Sequence, residues 1–295
     1  MQITTAYISV ILIWATTPLA IKWSSDSVGF LFGVSSSFLL GAGIVLCIAG
    51  LLGKKLPLET RAIKTYLTGG LGMSSAMLCT YWGAQFIPSG WVSIIFGLSP
   101  VITALFAMKL LGEKSLNPFR LIAIALGLAG LIAMLDTGLQ YGDLNSIYGV
   151  FSVFLATVFY SFSIVMIKRI NADIDTFSFV IGTLIVAALF TLLTWVTFDG
   201  NLPSVIPARA GAAIVYLAII GSILGFLLFY FVLKRVEATR ASLITLITPI
   251  CALMLGHLTN NEPLDWEIIM GCLLILSGLI LFEFEGAIRN RRTIR

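Results

Sequence analysis

The stretch from Pro88 to Leu135 is written twice in this chain. It returns in altered form from Glu237 to Phe282. Ser93 and Ser242, Ile95 and Ile244, Pro100 and Pro249, and Glu113 and Glu262 all pair at one offset of 149 residues. After a one-residue slip, Ala129-Gly130-Leu131-Ile132 pairs with Ser277-Gly278-Leu279-Ile280. Gly72 pairs with Gly221, Leu78 with Leu227 and Tyr81 with Tyr230 at the original offset. Nearer the N-terminus Trp14 aligns with Tyr160, Thr17 with Ser163, and Ile21-Lys22 with Ile167-Lys168. A chain that carries one unit twice is confined to folds built from two similar halves.

The unit is apolar. Of the 295 residues 59% are hydrophobic and 11% charged, where a soluble domain carries roughly a quarter charged residues. A membrane-spanning helix needs about 20 mainly apolar residues. Ten such runs are predicted: Ala6–Lys22, Gly29–Leu52, Tyr66–Ile87, Ser89–Leu111, Pro118–Leu135, Ile147–Ile167, Phe177–Phe198, Ala210–Leu233, Ala238–Leu258 and Leu264–Phe284. The expected fold is an all-α integral membrane protein. Sixteen of the eighteen Lys and Arg residues fall on one side of this alternation, leaving Lys22 and Arg209 on the other. Positive loops stay cytoplasmic, so both termini are expected there. Each repeat then holds five helices. Five is odd, so the second copy enters the membrane inverted. The expected division is a first repeat over 1–135, a second over 147–285, and a basic cytoplasmic tail over 286–295.

Several classes fall away. The basic residues sit in loops between apolar runs, so the net charge of +4 points to membrane orientation and not to nucleic acid. The residues before the first run lack the positive charge of a signal peptide. Cys47, Cys79, Cys251 and Cys272 lie inside apolar runs with no CxxC pair, so small packing residues are expected in place of disulfides or a metal site. No cofactor is predicted.

An inverted repeat predicts a binding site near the midplane between the halves. Polar and aromatic residues deep in the matched helices are the candidates: Trp14, Thr17, Tyr81, Gln85, Ser93, Ser99, Tyr160, Ser163, Tyr230, Ser242, Thr245 and Thr248. Many of these hydroxyls can instead bond a carbonyl one turn back in their own helix. Pro18, Pro100 and Pro249 are candidate hinges, or static bends, because each withholds one helical donor. Lys22, Glu113 and Glu262 are charges at helix ends. A carboxylate at a helix C-terminus opposes the helix dipole and needs a partner, so Glu113 and Glu262 read as anchors or gate latches. Lys22 can snorkel or attract an anion at a cavity mouth. His257 reads as a satisfied interfacial residue. Trp91, Trp195 and Trp266 lie near helix ends and read as belt residues.

Trp14 to Lys22 (WATTPLAIK), the helix start at Pro88, Pro100, and Leu110-Leu111-Gly112-Glu113, repeated as Pro249 and Glu262, resemble the drug/metabolite transporter superfamily of the EamA type. The resemblance implies a multi-pass carrier of the bacterial inner membrane, often an exporter of amino acids and other small metabolites. It also implies a cavity lined by the first, third, fourth, sixth, eighth and ninth helices. Many relatives carry an Arg midway in the second helix; this chain has Ser35, Ser36 and Ser37 there. The expected partners are a small-molecule substrate and the bilayer. A lipid flippase and a non-transporting sensor remain alternatives. An intramembrane enzyme fits less well, since no metal motif is present and His257 is the one histidine.

Overall fold

The computed structural model describes residues 3–112, 118–140, 145–233 and 238–293; the side chains of 118, 120, 134–140, 230, 233, 238–243, 245, 246 and 283–293 fall outside that description. Among the described residues the regular structure is helical, with no strand. In order the chain forms α1 (Ile3–Ser25), α2 (Phe30–Leu51), α3 (Thr60–Gly83), α4 (Ser89–Phe96), α5 (Ser99–Leu111), α6 (Pro118–Gln140), α7 (Asn145–Ile170) and α8 (Thr176–Phe198). Then come α9 (Ala208–Tyr216), a π-helical stretch (Leu217–Leu224), α10 (Gly225–Leu233), α11 (Ala238–Asn260) and α12 (Trp266–Thr293). Six stretches among the described residues are long and apolar enough to cross a membrane: Ile3–Ser25, Phe30–Leu51, Ser89–Leu111, Asn145–Ile170, Thr176–Phe198 and Ala208–Phe229. Leu121–Ala133 and Trp266–Phe282 are shorter apolar helices. This is an α-helical, multi-pass membrane protein.

Local chemistry explains the ends. Asp175 caps α8: its carboxylate accepts from the Phe177 and Ser178 backbone N–H groups at 3.0 and 3.1 Å and from the Ser178 hydroxyl at 2.6 Å. Those donors, the Ser178 hydroxyl foremost, hold the Asp175 carboxyl below its ordinary value. Gly112 ends α5 with φ 69°, a left-handed conformation that glycine adopts without strain.

Two predicted helices are not regular. The run Ser89–Leu111 divides into α4 and α5 at Gly97 and Leu98. Pro100 sits in the first turn of α5 and cannot donate to the Phe96 carbonyl. The last turn of α4 tightens instead, with the Leu98 N–H on the Ile95 carbonyl at 3.0 Å. Its repeat partner Pro249 lies inside an unbroken α11, and Pro18 inside an unbroken α1. The run Ala210–Leu233 carries the π stretch at its centre.

Glycines set how closely the rods pack. A Cβ on Gly72 of α3 would overlap the Ser163 side chain of α7. One on Gly130 of α6 would lie 2.6 Å from the Gly271 carbonyl of α12, and one on Gly278 of α12 would lie 2.7 Å from the Ala123 carbonyl of α6. Small residues allow this approach where lipid supplies no hydrophobic drive between helices. The main packing pairs are α6 with α12, α3 with α7 and α8, α2 with α8, α5 with α7, α4 with α11, and α1 with both α11 and the rod from α9 to α10. Trp91, expected in the interfacial belt, is 3% exposed and belongs to the core. Its position in α4, which packs on α11 and α7, buries the ring. Trp266 is exposed, and Trp195 packs edge-on against Phe32 at 5.7 Å.

Candidate functional site

A cavity of ≈ 620 Å³ lies inside the bundle. Its walls combine α1 (Trp14, Thr17, Pro18, Ile21), α2 (Ser37, Phe38), α3 (Met73, Met77, Thr80, Tyr81), and α4 and α5 (Val92, Ser93, Phe96, Ser99, Pro100, Thr103) with residues of the second half. The latter are Tyr160, Ile164 and Lys168 of α7, Leu217, Gly221 and Ser222 of the π stretch, Phe226 and Phe229 of α10, Thr248 and Pro249 of α11, and Phe282 of α12. The lining is aromatic, thioether and hydroxyl in character. Among the described residues Lys168 is its charged member and no carboxylate lines it.

Of the sequence candidates, the cavity brings together Trp14, Thr17, Tyr81, Ser93, Ser99, Tyr160 and Thr248, with Pro18, Pro100 and Pro249. Their hydroxyls are mostly engaged. Thr17 and Thr248 donate to the carbonyls one turn back, Ile13 at 2.7 Å and Ile244 at 2.6 Å. Tyr81 is buried, and its hydroxyl lies 3.4 Å from that of Ser24 and 3.5 Å from that of Ser37. Trp14 packs on Phe229 with centroids 4.7 Å apart, and Phe96 meets Tyr160 edge-on at 6.1 Å.

Two candidates lie elsewhere. Gln85 is exposed beyond the end of α3 and donates to the Trp82 carbonyl at 3.2 Å. Ser163 is buried between α7 and α3, where its hydroxyl donates to the Thr68 carbonyl at 2.9 Å. The side chains of Tyr230, Ser242 and Thr245, and all of Glu113, fall outside the described residues.

Lys22 and Glu262 form a second feature at one end of the cavity. Glu262 is 7% exposed. One carboxylate oxygen accepts from the Ser89 hydroxyl at 2.8 Å and the Gly90 backbone N–H at 3.4 Å. The other accepts from the Asn260 amide at 3.0 Å and faces the Lys22 ammonium at 3.7 Å. Lys22 also donates to the Ile87 carbonyl at 3.2 Å. Asn260 in turn accepts from the Trp23 indole at 3.3 Å and the Arg209 guanidinium at 3.2 Å, and Arg209 stacks 4.1 Å above the Trp23 ring. His257 Nδ1 lies 2.9 Å from the Glu262 carbonyl; a carbonyl only accepts, so this nitrogen carries the proton. The carboxylate's partners are therefore Asn260 two residues before it, Lys22, and the first turn of α4, a helix remote in sequence. Lys22 turns toward Glu262 and not into the cavity.

Sequence reasoning missed Met73, Met77, Thr103, Phe226, Phe229 and Phe282. Nothing in the chain separates such residues from ordinary core. Lys168 had a signal, its alignment with Lys22. Among the described residues no group of three His, Cys, Asp or Glu could hold a metal ion.

The chain matches the EamA-like transporter family over residues 3–135 and again over 147–284. It belongs to that family. It is therefore a membrane transporter of the drug/metabolite superfamily. Among relatives it is similar to the transporter YoaV of Bacillus subtilis (strain 168), 25% identical over 96% of this chain and 97% of that protein. It is also similar to the inner membrane transporter YedA of Escherichia coli (strain K12), 25% identical over 96% and 93%. A probable terminal-alkyne amino-acid exporter of Streptantibioticus cattleyicolor is 24% identical over 98% of this chain and 93% of its own. A crystal structure at 21% identity superposes with a TM-score of 0.65, covering 95% of this chain and 96% of that one, which establishes a shared fold.

Proposed function

We propose that this EamA-family protein is an alternating-access exporter of small metabolites, amino acids among them, working in the bacterial inner membrane. The observation that carries the proposal is the cavity itself. It lies between residues of both halves, and its lining of rings, thioethers and hydroxyls carries no carboxylate among the described residues. Rings and thioethers suit an apolar side chain, while hydroxyls, proline-freed carbonyls and Lys168 suit a carboxylate or other polar end. Such a wall suits neither a metal ion nor a polycation, which need anionic ligands. The relatives named as transporters and as an amino-acid exporter point the same way.

The architecture behind this reading is ten spanning helices in two inverted repeats. The span Ser89–Leu111 counts as one helix, as does the rod from α9 to α10. Two separate family matches support the division near residue 140. The packing supports the inversion: exchanging the repeats turns α3 on α7 into the α9–α10 rod on α1, and leaves α2 with α8, α4 with α11, and α6 with α12 paired as before. The bias of sixteen cations to two supports cytoplasmic termini. Lys22 and Arg209, the two cations left outside, both belong to the Glu262 cluster. On this reading the cluster closes the outer face, and the cavity leads past Lys168 toward the cytoplasm.

The test is solute exchange in proteoliposomes loaded with a panel of zwitterionic, monoanionic and neutral solutes. At least one amphipathic member is expected to exchange faster than in empty liposomes, and Trp14→Ala is expected to slow it without loss of folded protein. Exchange at the empty-liposome rate across the panel would overturn the proposal. So would scrambling of labelled phospholipid without solute exchange.

A further inference from the structure

We infer that Glu262 is the keystone of the outer gate: its ionised carboxylate clasps the two halves together while that face is shut, and hydrates when the face opens. The inference rests on the alternating-access reading and adds the device that holds one of its states.

Glu262 receives three hydrogen bonds and one ion pair, two contacts on each oxygen. Lys22, Ser89 and Gly90 belong to the first half; Asn260 and Glu262 belong to the second, as does Arg209, which reaches Asn260. The cluster therefore crosses the line along which the halves must part. It also adjoins the cavity directly. Ile21, next to Lys22, lines the wall, and so does Val92, two residues beyond Gly90. The bonds are of a kind that water can replace. The Lys22 side chain is 33% exposed, so solvent already reaches the rim. The glycine faces joining α6 to α12 have no such substitute. On parting, the carboxylate exchanges three hydrogen bonds and an ion pair for water and is never left buried and unpaired, the condition that would make opening prohibitive. The first turn of α4 adds its positive dipole end to the closed state.

The local backbone is shaped for this contact. A Cβ on Gly256 would overlap the Glu262 carboxylate and sit 3.1 Å from the Ser89 hydroxyl oxygen. Because every partner is a donor, an amide cannot replace the acid. Whichever way Gln turns, its NH₂ faces two donors.

The experiment places a cysteine at Ile21 in a background with the four native cysteines replaced. It then measures the rate at which a membrane-impermeant maleimide labels it from the outer face of intact cells. Glu262→Gln is expected to raise that rate on the order of tenfold or more, given the strength of hydrogen bonds to a charged group. Gly256→Ala, which displaces the carboxylate sterically, is expected to act in the same direction. Cross-linking Trp23→Cys to Asn260→Cys with a short cleavable reagent is expected to suppress labelling, and cleavage to restore it. Should Glu262→Gln fail to accumulate as folded protein, Lys22→Gln and the cross-link carry the test alone. Unchanged labelling in folded Glu262→Gln and Gly256→Ala protein would overturn the gate. Labelling that survives cross-linking would overturn it as well. The readout needs no substrate, so the two readings fail separately: gated labelling with no solute exchange sinks the exporter, and solute exchange with ungated labelling sinks the gate.

Discussion

Gly72 and Gly221 are partners in the repeat, yet alanine should act on them in opposite directions. Gly72 of α3 lies against Ser163 of α7, and an added Cβ would overlap that side chain. The two helices are also tied there by the Ser163 hydroxyl on the Thr68 carbonyl at 2.9 Å. Forcing a methyl into a packed contact costs about 1–3 kcal/mol, and parting the helices weakens a hydrogen bond worth about 1 kcal/mol. The gain in helix propensity is at most about 1 kcal/mol, so Gly72→Ala should destabilise by about 1–3 kcal/mol. At Gly221 the nearest atom is Leu217 Cδ2 at 3.5 Å, and the Thr17 hydroxyl oxygen, equivalent to that of Ser163, is 3.9 Å away. These are ordinary contacts. Gly221→Ala should therefore be neutral or stabilising by up to about 1 kcal/mol. Denaturant unfolding in detergent micelles, followed by near-UV circular dichroism, measures both. Equal shifts in the same direction would refute the argument, because the two sites would then be equally tight.

Four further outcomes are expected. Asp175→Ala should cost about 1 kcal/mol through loss of the α8 cap. The folded carboxyl is held below its ordinary 3.8, so this contribution is complete above that value and lost as pH falls through the folded value; unfolding of wild type and variant should converge on acidification. Gln85→Ala should leave stability within about 0.5 kcal/mol and solute exchange unchanged, since its described hydrogen bond is a local one to the Trp82 carbonyl. Ser163→Ala should lower stability by about 1 kcal/mol without the loss of exchange expected for Trp14→Ala, which a matched pair of unfolding and flux assays would separate. Reporters fused to either terminus should be active only in the cytoplasmic form; a periplasmic signal from the C-terminus would refute the orientation.

The α-helical membrane class was legible because long apolar runs leave the backbone few alternatives in lipid, and six of the runs are long and apolar enough to span among the described residues. The breaks were only half legible. Pro100 announces the end of α4 through its missing donor, but Pro249 carries the same chemistry inside an unbroken α11. Residues packed around a proline decide between a break and a bend. The π stretch was not legible, since its residues, LAIIGSIL, read as an ordinary apolar helix. Hydroxyls were the least decidable group. Thr17 and Ser163 are matched in the repeat, yet one lines the cavity and the other rivets α7 to α3.

The charged helix ends show why the sequence stops short of a state. Lys22 and Lys168 are the same residue of the repeat, and both are visible as such. In the structure Lys22 pairs with Glu262, and Lys168 lines the cavity wall. A duplicated sequence offers a rim position to each lysine, and it does not say which face of the protein a given conformation shuts. On the alternating-access reading the same chain must shut either face in turn, so perfect similarity of the halves would leave the two states equal in energy. The departures from similarity set the bias. Asn260, Trp23 and Arg209 reinforce the Glu262 side, and at their repeat-related positions stand Leu111, Arg169 and Thr60. Arg169 and Thr60 can donate, but none of the three offers the carboxamide that joins the cluster. On the gate reading, a preference for a shut outer face follows from these three side chains, and replacing Asn260 with Leu should weaken it most, because Asn260 alone among them touches Glu262. Outer-face labelling at Ile21→Cys reads that bias directly; a rate lower in Asn260→Leu than in its parent would refute it.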